Sequence, residues 1–159
     1  MSLVAVAVVV LVAGAVLAVR GYGEWRDGNE VDTAADKATA AAGAAAETIF
    51  SYRFDQLDDH LSESKALMTK SFQKDFDEIA PALTDLAPQR RIMVTAVTRD
   101  MAPVPCADDC SDDEATVLVF LDQARLVDGG DKPTVFGNRI TMTMVERDGT
   151  WLVDDIRAL

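Results

Sequence analysis

Two carboxylates stand side by side near the end of the chain, Asp154 and Asp155 in "RDGTWLVDDIRAL". An adjacent acid pair suggests general acid–base chemistry, one carboxyl donating a proton while the other accepts one. The residues around them read as a strand, and successive strand side chains point to opposite faces. Strict alternation puts Trp151, Val153, Asp155 and Arg157 on one face and Leu152, Asp154, Ile156 and Ala158 on the other. The two carboxylates therefore do not form a dyad. If its face looks inward, Asp155 is the one worth testing.

Other chemistry is sparse. Cys106 and Cys110, the only cysteines, lie four apart in "PVPCADDCSDDE". A zinc site lacks ligands, because the single histidine, His60, is far away in sequence. A calcium site among Asp108, Asp109, Asp112, Asp113 and Glu114 lacks the ligand spacing and central glycine of an EF-hand loop. An acidic, solvated loop closed by a Cys106–Cys110 disulfide is the simpler reading, and it fits an oxidising, extracytoplasmic compartment. No serine sits in a GxSxG setting, and neither standard Gly-rich phosphate loop is present. His60, in "DDHLSES", reads as part of a solvated helix face among acids. The sequence points to no catalytic residue, no metal and no cofactor.

The elements that must position these residues begin with an apolar run. The first charge in the 159-residue chain is Arg20; before it comes "MSLVAVAVVVLVAGAVLAV". A membrane-crossing helix needs about 20 mainly apolar residues, and residues 3–22 supply that length. A signal peptide would carry a basic start and a small-x-small cleavage site. No Lys or Arg precedes the apolar run and "AVLAVRG" is a poor cleavage site, so an uncleaved anchor in the lipid bilayer is expected. The expected division is 1–22 anchor, 23–31 juxtamembrane linker and 32–159 extracytoplasmic domain. The net charge is −12, which repels phosphate backbones and excludes a nucleic-acid partner.

Beyond the anchor, "DTAADKATAAAGAAAETIFSY" is dense in alanine and predicts a helix that Asp32 or Thr33 caps at its start. Its small side chains allow close approach to a sheet or another helix. Phe50, Phe54, Leu57 and Leu61 come next at helical spacing, then Phe72, Phe76, Ile79, Leu83 and Leu86, with Thr69 or Ser71 as cap. Pro81 predicts a kink or break near Ala80. After Pro88 the period becomes that of strands. "RRIMVTAVTR" places Ile92, Val94 and Ala96 on one face, and "EATVLVFLDQ" is apolar on both faces, as in a strand covered on both sides. "LVDGGDKPTVFG" is a turn-rich connection. "NRITMTMVE" then alternates, with Ile140, Met142 and Met144 together, and "RDGT" supplies the Asp-Gly of a tight hairpin. Helices gathered before a run of antiparallel strands indicate an α+β fold, a curved sheet wrapped on helices.

The stretches "FSYRFDQLDDHLSESKALMTKSFQKDF", "VTAVTR", "ATVLVFLDQ" and "DGTWLVDDI" together resemble the actinobacterial Mce-associated membrane proteins. That resemblance implies one N-terminal transmembrane helix followed by an NTF2-like cone of curved antiparallel sheet closed by helices. It also implies an accessory role in an Mce-type lipid-import complex, with Mce-family and permease subunits as partners. The sequence departs from the family pattern in its short polar start and in the Cys106–Cys110 loop. Two alternatives share the layout: a lipid-binding cone that hands apolar cargo to a transporter, and an accessory subunit of another envelope machine, such as a conjugation or type IV secretion system. In the cargo reading, Ile140, Met142, Met144, Trp151 and Asp155 are candidates to line the cone.

Overall fold

A computed structural model describes residues 2–106 and 111–159, apart from the side chains of 2–16, 19 and 21–28. The chain forms α1 (Ser2–Phe50), β1 (Tyr52–Arg53), α2 (Leu57–Ala66), α3 (Lys70–Gln89), β2 (Met93–Pro103), β3 (Glu114–Leu126), β4 (Thr134–Arg147) and β5 (Thr150–Ala158). The strands make one antiparallel sheet in the order β1-β2-β3-β4-β5. The sheet curls around the helices, giving the expected α+β class.

α1 is continuous, so the stretch 23–31 is helical and Asp32 and Thr33 lie inside the helix. Thr33 does not cap a helix start; its hydroxyl donates to the carbonyl of Asn29 at 2.8 Å. Nearly all side chains of the expected bilayer span, residues 3–22, fall outside the described set. Among the described residues no helix is long and apolar enough to cross a membrane.

The second half of α1 lies on the sheet. Ala34, Ala38, Ala42, Ala45, Ala46 and Ile49 are buried, a stripe at helical spacing that packs against β2 and β3. Small side chains let the backbones approach, and the Thr98 hydroxyl reaches the Gly43 carbonyl at 3.2 Å. The end of α1 also covers the free edge of β2. Ser51 Oγ accepts from the Ala96 amide and Glu47 Oε1 from the Thr98 amide, both at 2.8 Å. Beyond β1's two residues, those side chains take the place of a neighbouring strand.

The helical stripe expected from Phe50 to Leu61 is interrupted. Phe50 ends α1, β1 pairs with β2, and Phe54 falls in a turn before α2. Pairing of Tyr52 with Val94 and Arg53 with Met93 overrides the local spacing, a tertiary effect that periodicity does not report. α3 begins as expected: Thr69 is its N-cap, and its side chain accepts from the Phe72 amide at 3.2 Å. The break expected at Pro81 is absent, since α3 runs unbroken to Gln89. Asp77, whose carbonyl loses its helical donor, and Pro81 are both exposed, so water can satisfy that carbonyl. Phe76 and Ala87 are buried on either side of the proline and hold both halves in place.

In β3, Val117, Val119 and Leu121 are fully or almost fully buried, whereas Phe120 on the other face is 37% exposed. β3 is central in the sheet but covered on one face only, contrary to the two-sided expectation. Its run of apolar residues reflects position in the sheet, not a second layer. Val119 pairs with Ile140, Val117 with Met142 and Ala115 with Met144; together with Val153 these form the core. β4 starts at Thr134, earlier than expected, so "TVFG" belongs to the strand. The β4–β5 hairpin turns at Asp148 (φ 53°) and Gly149 (φ 81°). Both sit in the left-handed region that a two-residue turn of this kind requires.

Candidate functional site

The relation between the two carboxylates is settled by a bulge. Thr143 pairs with Asp155, but Met144 pairs with Val153, leaving Asp154 as an extra residue in β5. A bulge resets the alternation. Val153 and Ile156 therefore share the inner face with their partners Met144 and Met142, while Asp155 stands opposite Thr143. The faces expected from strict alternation are thus corrected beyond residue 153. Asp155 turns to Arg157, whose Nε donates to Oδ2 at 2.6 Å. Asp154 accepts from the Thr69 hydroxyl at 2.6 Å. One carboxylate holds a helix start and the other an arginine; neither pairs with the other.

The bulge sits beside a second junction. Met68 forms a parallel bridge with Val153. The Thr69 amide donates to the Val153 carbonyl at 2.9 Å, and the Val153 amide donates to that of Leu67 at 2.8 Å. The α2–α3 linker is thereby tied to β5 by a single parallel bridge just before α3 begins.

Between α3 and the curled sheet lies an open cavity of about 730 Å³, within the range of small-molecule sites. Phe50, Phe72, Phe76, Leu83, Ile140 and Ile156 supply apolar wall. Four uncharged polar side chains also line it. Gln123 and Asn138 lie on the inner faces of β3 and β4, and Asn138 Nδ2 donates to Gln123 Oε1 at 2.7 Å. Gln123 Nε2 donates in turn to the Phe50 carbonyl at 3.4 Å. Tyr52 and His60 are the other two, their ring centroids 5.8 Å apart.

His60 is buried, 7% exposed, and not on a solvated face. The acids that flank it in sequence point away, while its ring turns inward beside Tyr52 and near Ser64 Oγ, 3.5 Å from Nδ1. Burial pushes the imidazole below its ordinary pKa, opposed by the nearby Glu63. Burial also pushes the Tyr52 phenol up, opposed by Arg125. Both groups are neutral near pH 7.

Of the five candidates for the cone lining, Ile140 and Asp155 border this cavity. Met142 and Met144 do not; they are completely buried as core. Trp151 borders a separate, polar depression with Glu30, Lys37 and Asp113. The sequence reading missed Gln123 and Asn138, although a signal existed. Each interrupts an inward apolar series, Val117–Val119–Leu121–Gln123 and Asn138–Ile140–Met142–Met144. Cys106 is disulfide-bonded, and Cys110, like Asp108 and Asp109, lies outside the described residues. Among the described residues no cluster of His, Cys, Asp and Glu is arranged to hold a metal ion.

No family model matches the chain. It is 25% identical over 131 residues to the uncharacterized protein Rv1362c of Mycobacterium tuberculosis strain H37Rv, covering 82% of this chain and 58% of that protein's length. Outer membrane protein Rv1973 of the same organism is 28% identical over 146 residues, covering 87% of this chain and 86% of that protein. Among solved structures, the periplasmic domain of DotI superposes with a TM-score of 0.63 at 17% identity, covering 76% of this chain and 91% of that one. CagV, a VirB8 homolog of a type IV secretion system from Helicobacter pylori, gives a TM-score of 0.60 at 12% identity, with coverages of 76% and 94%. The likeness covers the curled antiparallel sheet and the helices packed on it.

Proposed function

We propose that this protein is an accessory subunit of a transport or secretion machine in the cell envelope. Residues 3–22 anchor it, and its curled domain stands outside the cytoplasm as a platform for other subunits. The observation that carries this reading is the fold. The curled antiparallel sheet packed on helices superposes on the periplasmic domain of DotI and on CagV, a VirB8 homolog of a type IV secretion system. The apolar, uncharged start of the chain and the disulfide at Cys106 fit an anchored, extracytoplasmic domain. The sequence pattern favours an Mce-type lipid importer as the particular machine. No reaction is assigned, because the carboxylates that suggested one are occupied in structural contacts.

Pull-down of the intact protein from membranes, with mass spectrometry of the co-purifying proteins, tests this. Recovery of Mce and permease subunits supports the importer. Recovery of secretion ATPases moves the protein to a secretion system, and a protein found unaccompanied in the soluble fraction refutes both.

The open cavity favours a second reading, in which the domain itself holds apolar cargo. Its wall is aromatic and aliphatic, and its volume is about 730 Å³. Lipid extraction from the same purified sample tests that reading.

A further inference from the structure

The cavity has a defined polarity, and this limits what fits. Among the described residues its uncharged polar lining is Gln123, Asn138, Tyr52 and His60. The Asn138 amide nitrogen is committed to Gln123, which leaves the Asn138 carbonyl oxygen as an acceptor and the second amide hydrogens as donors. A hydroxyl both donates and accepts, and so can use both; a carboxylate only accepts.

The charges argue the same way. Asp75, which lines the cavity and is exposed, makes no ion pair among the described residues, and Asp155 is already held by Arg157. Arg139 contributes to the wall, but it pairs with Phe120 on the opposite face of the sheet and is exposed. Among the described residues no cationic side chain therefore faces into the cavity to receive an anion, and an unpaired anion in an apolar site carries a large desolvation cost. The two lining carboxylates are no better placed for an ammonium group, since Asp75 is exposed to solvent and Asp155 is held by Arg157.

We propose that the cavity under α3 is a binding site for an uncharged, hydroxyl-bearing amphiphile, its hydroxyl seated on the Asn138–Gln123 amide pair and its aliphatic body against Phe72, Phe76 and Ile140. This rests on the cargo reading and narrows it to a chemical class.

The test uses the full chain in amphipol with isotope-labelled isoleucine methyl groups, titrated separately with octan-1-ol, octanoate and octylammonium at pH 7.5. Octan-1-ol should shift the Ile140 and Ile156 signals saturably, with octanoate and octylammonium each binding at least about tenfold more weakly, as expected for an uncompensated charge. Asn138→Leu should weaken octan-1-ol by about tenfold, the scale of one lost hydrogen bond in an apolar site. If that variant does not fold, Leu83→Trp, which places an indole in the cavity, should abolish the shifts at Ile156. Octanoate or octylammonium binding as tightly as octan-1-ol overturns this inference and leaves the cargo reading standing. So does an Asn138→Leu variant that folds and binds octan-1-ol unchanged. No shift with any probe overturns both.

Discussion

The Thr69 hydroxyl donates to Asp154 Oδ1 at 2.6 Å while its oxygen accepts from the Phe72 amide at 3.2 Å. Residues 85 apart in sequence thus share one hydroxyl, which caps α3 and fixes it to the β5 bulge. Thr69→Ala removes both contacts and should cost about 1–2 kcal/mol, the upper range for a lost N-cap. Asp154→Ala should cost less. Because the two residues touch, the double variant should fall short of the sum by about 0.5 kcal/mol or more. Urea unfolding of the four proteins measures this, and strict additivity would show that the bond contributes nothing.

Gly43 tests how closely α1 lies on the sheet. A Cβ there would stand 2.6 Å from Met101 Sδ and 2.9 Å from its Cε. These atoms are the far end of a flexible side chain that is 38% exposed, so it can swing away. Alanine also gains about 1 kcal/mol of helix propensity over glycine. Gly43→Ala should therefore be close to neutral, within about 1 kcal/mol. Gly43→Leu cannot be absorbed in that way and should destabilise by about 2 kcal/mol or more. Thermal unfolding of both variants separates the two outcomes.

His60 makes stability depend on pH with a definite sign. The unfolded imidazole takes its proton near pH 6.5, and burial lowers that value in the fold. The unfolded state therefore binds more protons once the pH falls below about 6.5. The contribution of the buried neutral ring is complete above that pH and is lost progressively below it. The urea midpoint should drop between pH 7.5 and pH 5.5, and His60→Gln should flatten that drop. An unchanged slope in the variant would place the pH response elsewhere.

Glu47 and Ser51 cover the exposed edge of β2 by accepting from the Thr98 and Ala96 amides. An uncovered strand edge is a template for pairing with another chain. Glu47→Ala combined with Ser51→Ala should leave the fold intact but increase self-association. Light scattering across a concentration series would detect it, and a variant as monodisperse as the parent would reject this role.

Much of the fold was legible in local pattern. The alanine stripe, the Thr69 cap, the Asp148–Gly149 turn and the inward Ile140–Met142–Met144 series all express short-range rules of spacing and backbone conformation. The cavity was less so. Phe72 and Phe76 read as core, and they line a space because the sheet curls away beneath them. Gln123 and Asn138 were visible as polar interruptions, but they become a pair only through strand register. His60 reads as solvated because its neighbours in sequence are acids, whereas its neighbours in space include Tyr52 and Ser64.

The sequence by itself determined the α+β order of elements and the acidic character. Each of these depends on residue type and on periods of a few residues. Only the tertiary structure decided that Asp154 is a bulge bound to Thr69, that Asp155 turns to Arg157, and that Met142 and Met144 are core while Asn138 faces a cavity. A one-residue bulge reverses every later side chain in a strand. Its position is set by what packs alongside, here the Leu67–Thr69 segment on Val153.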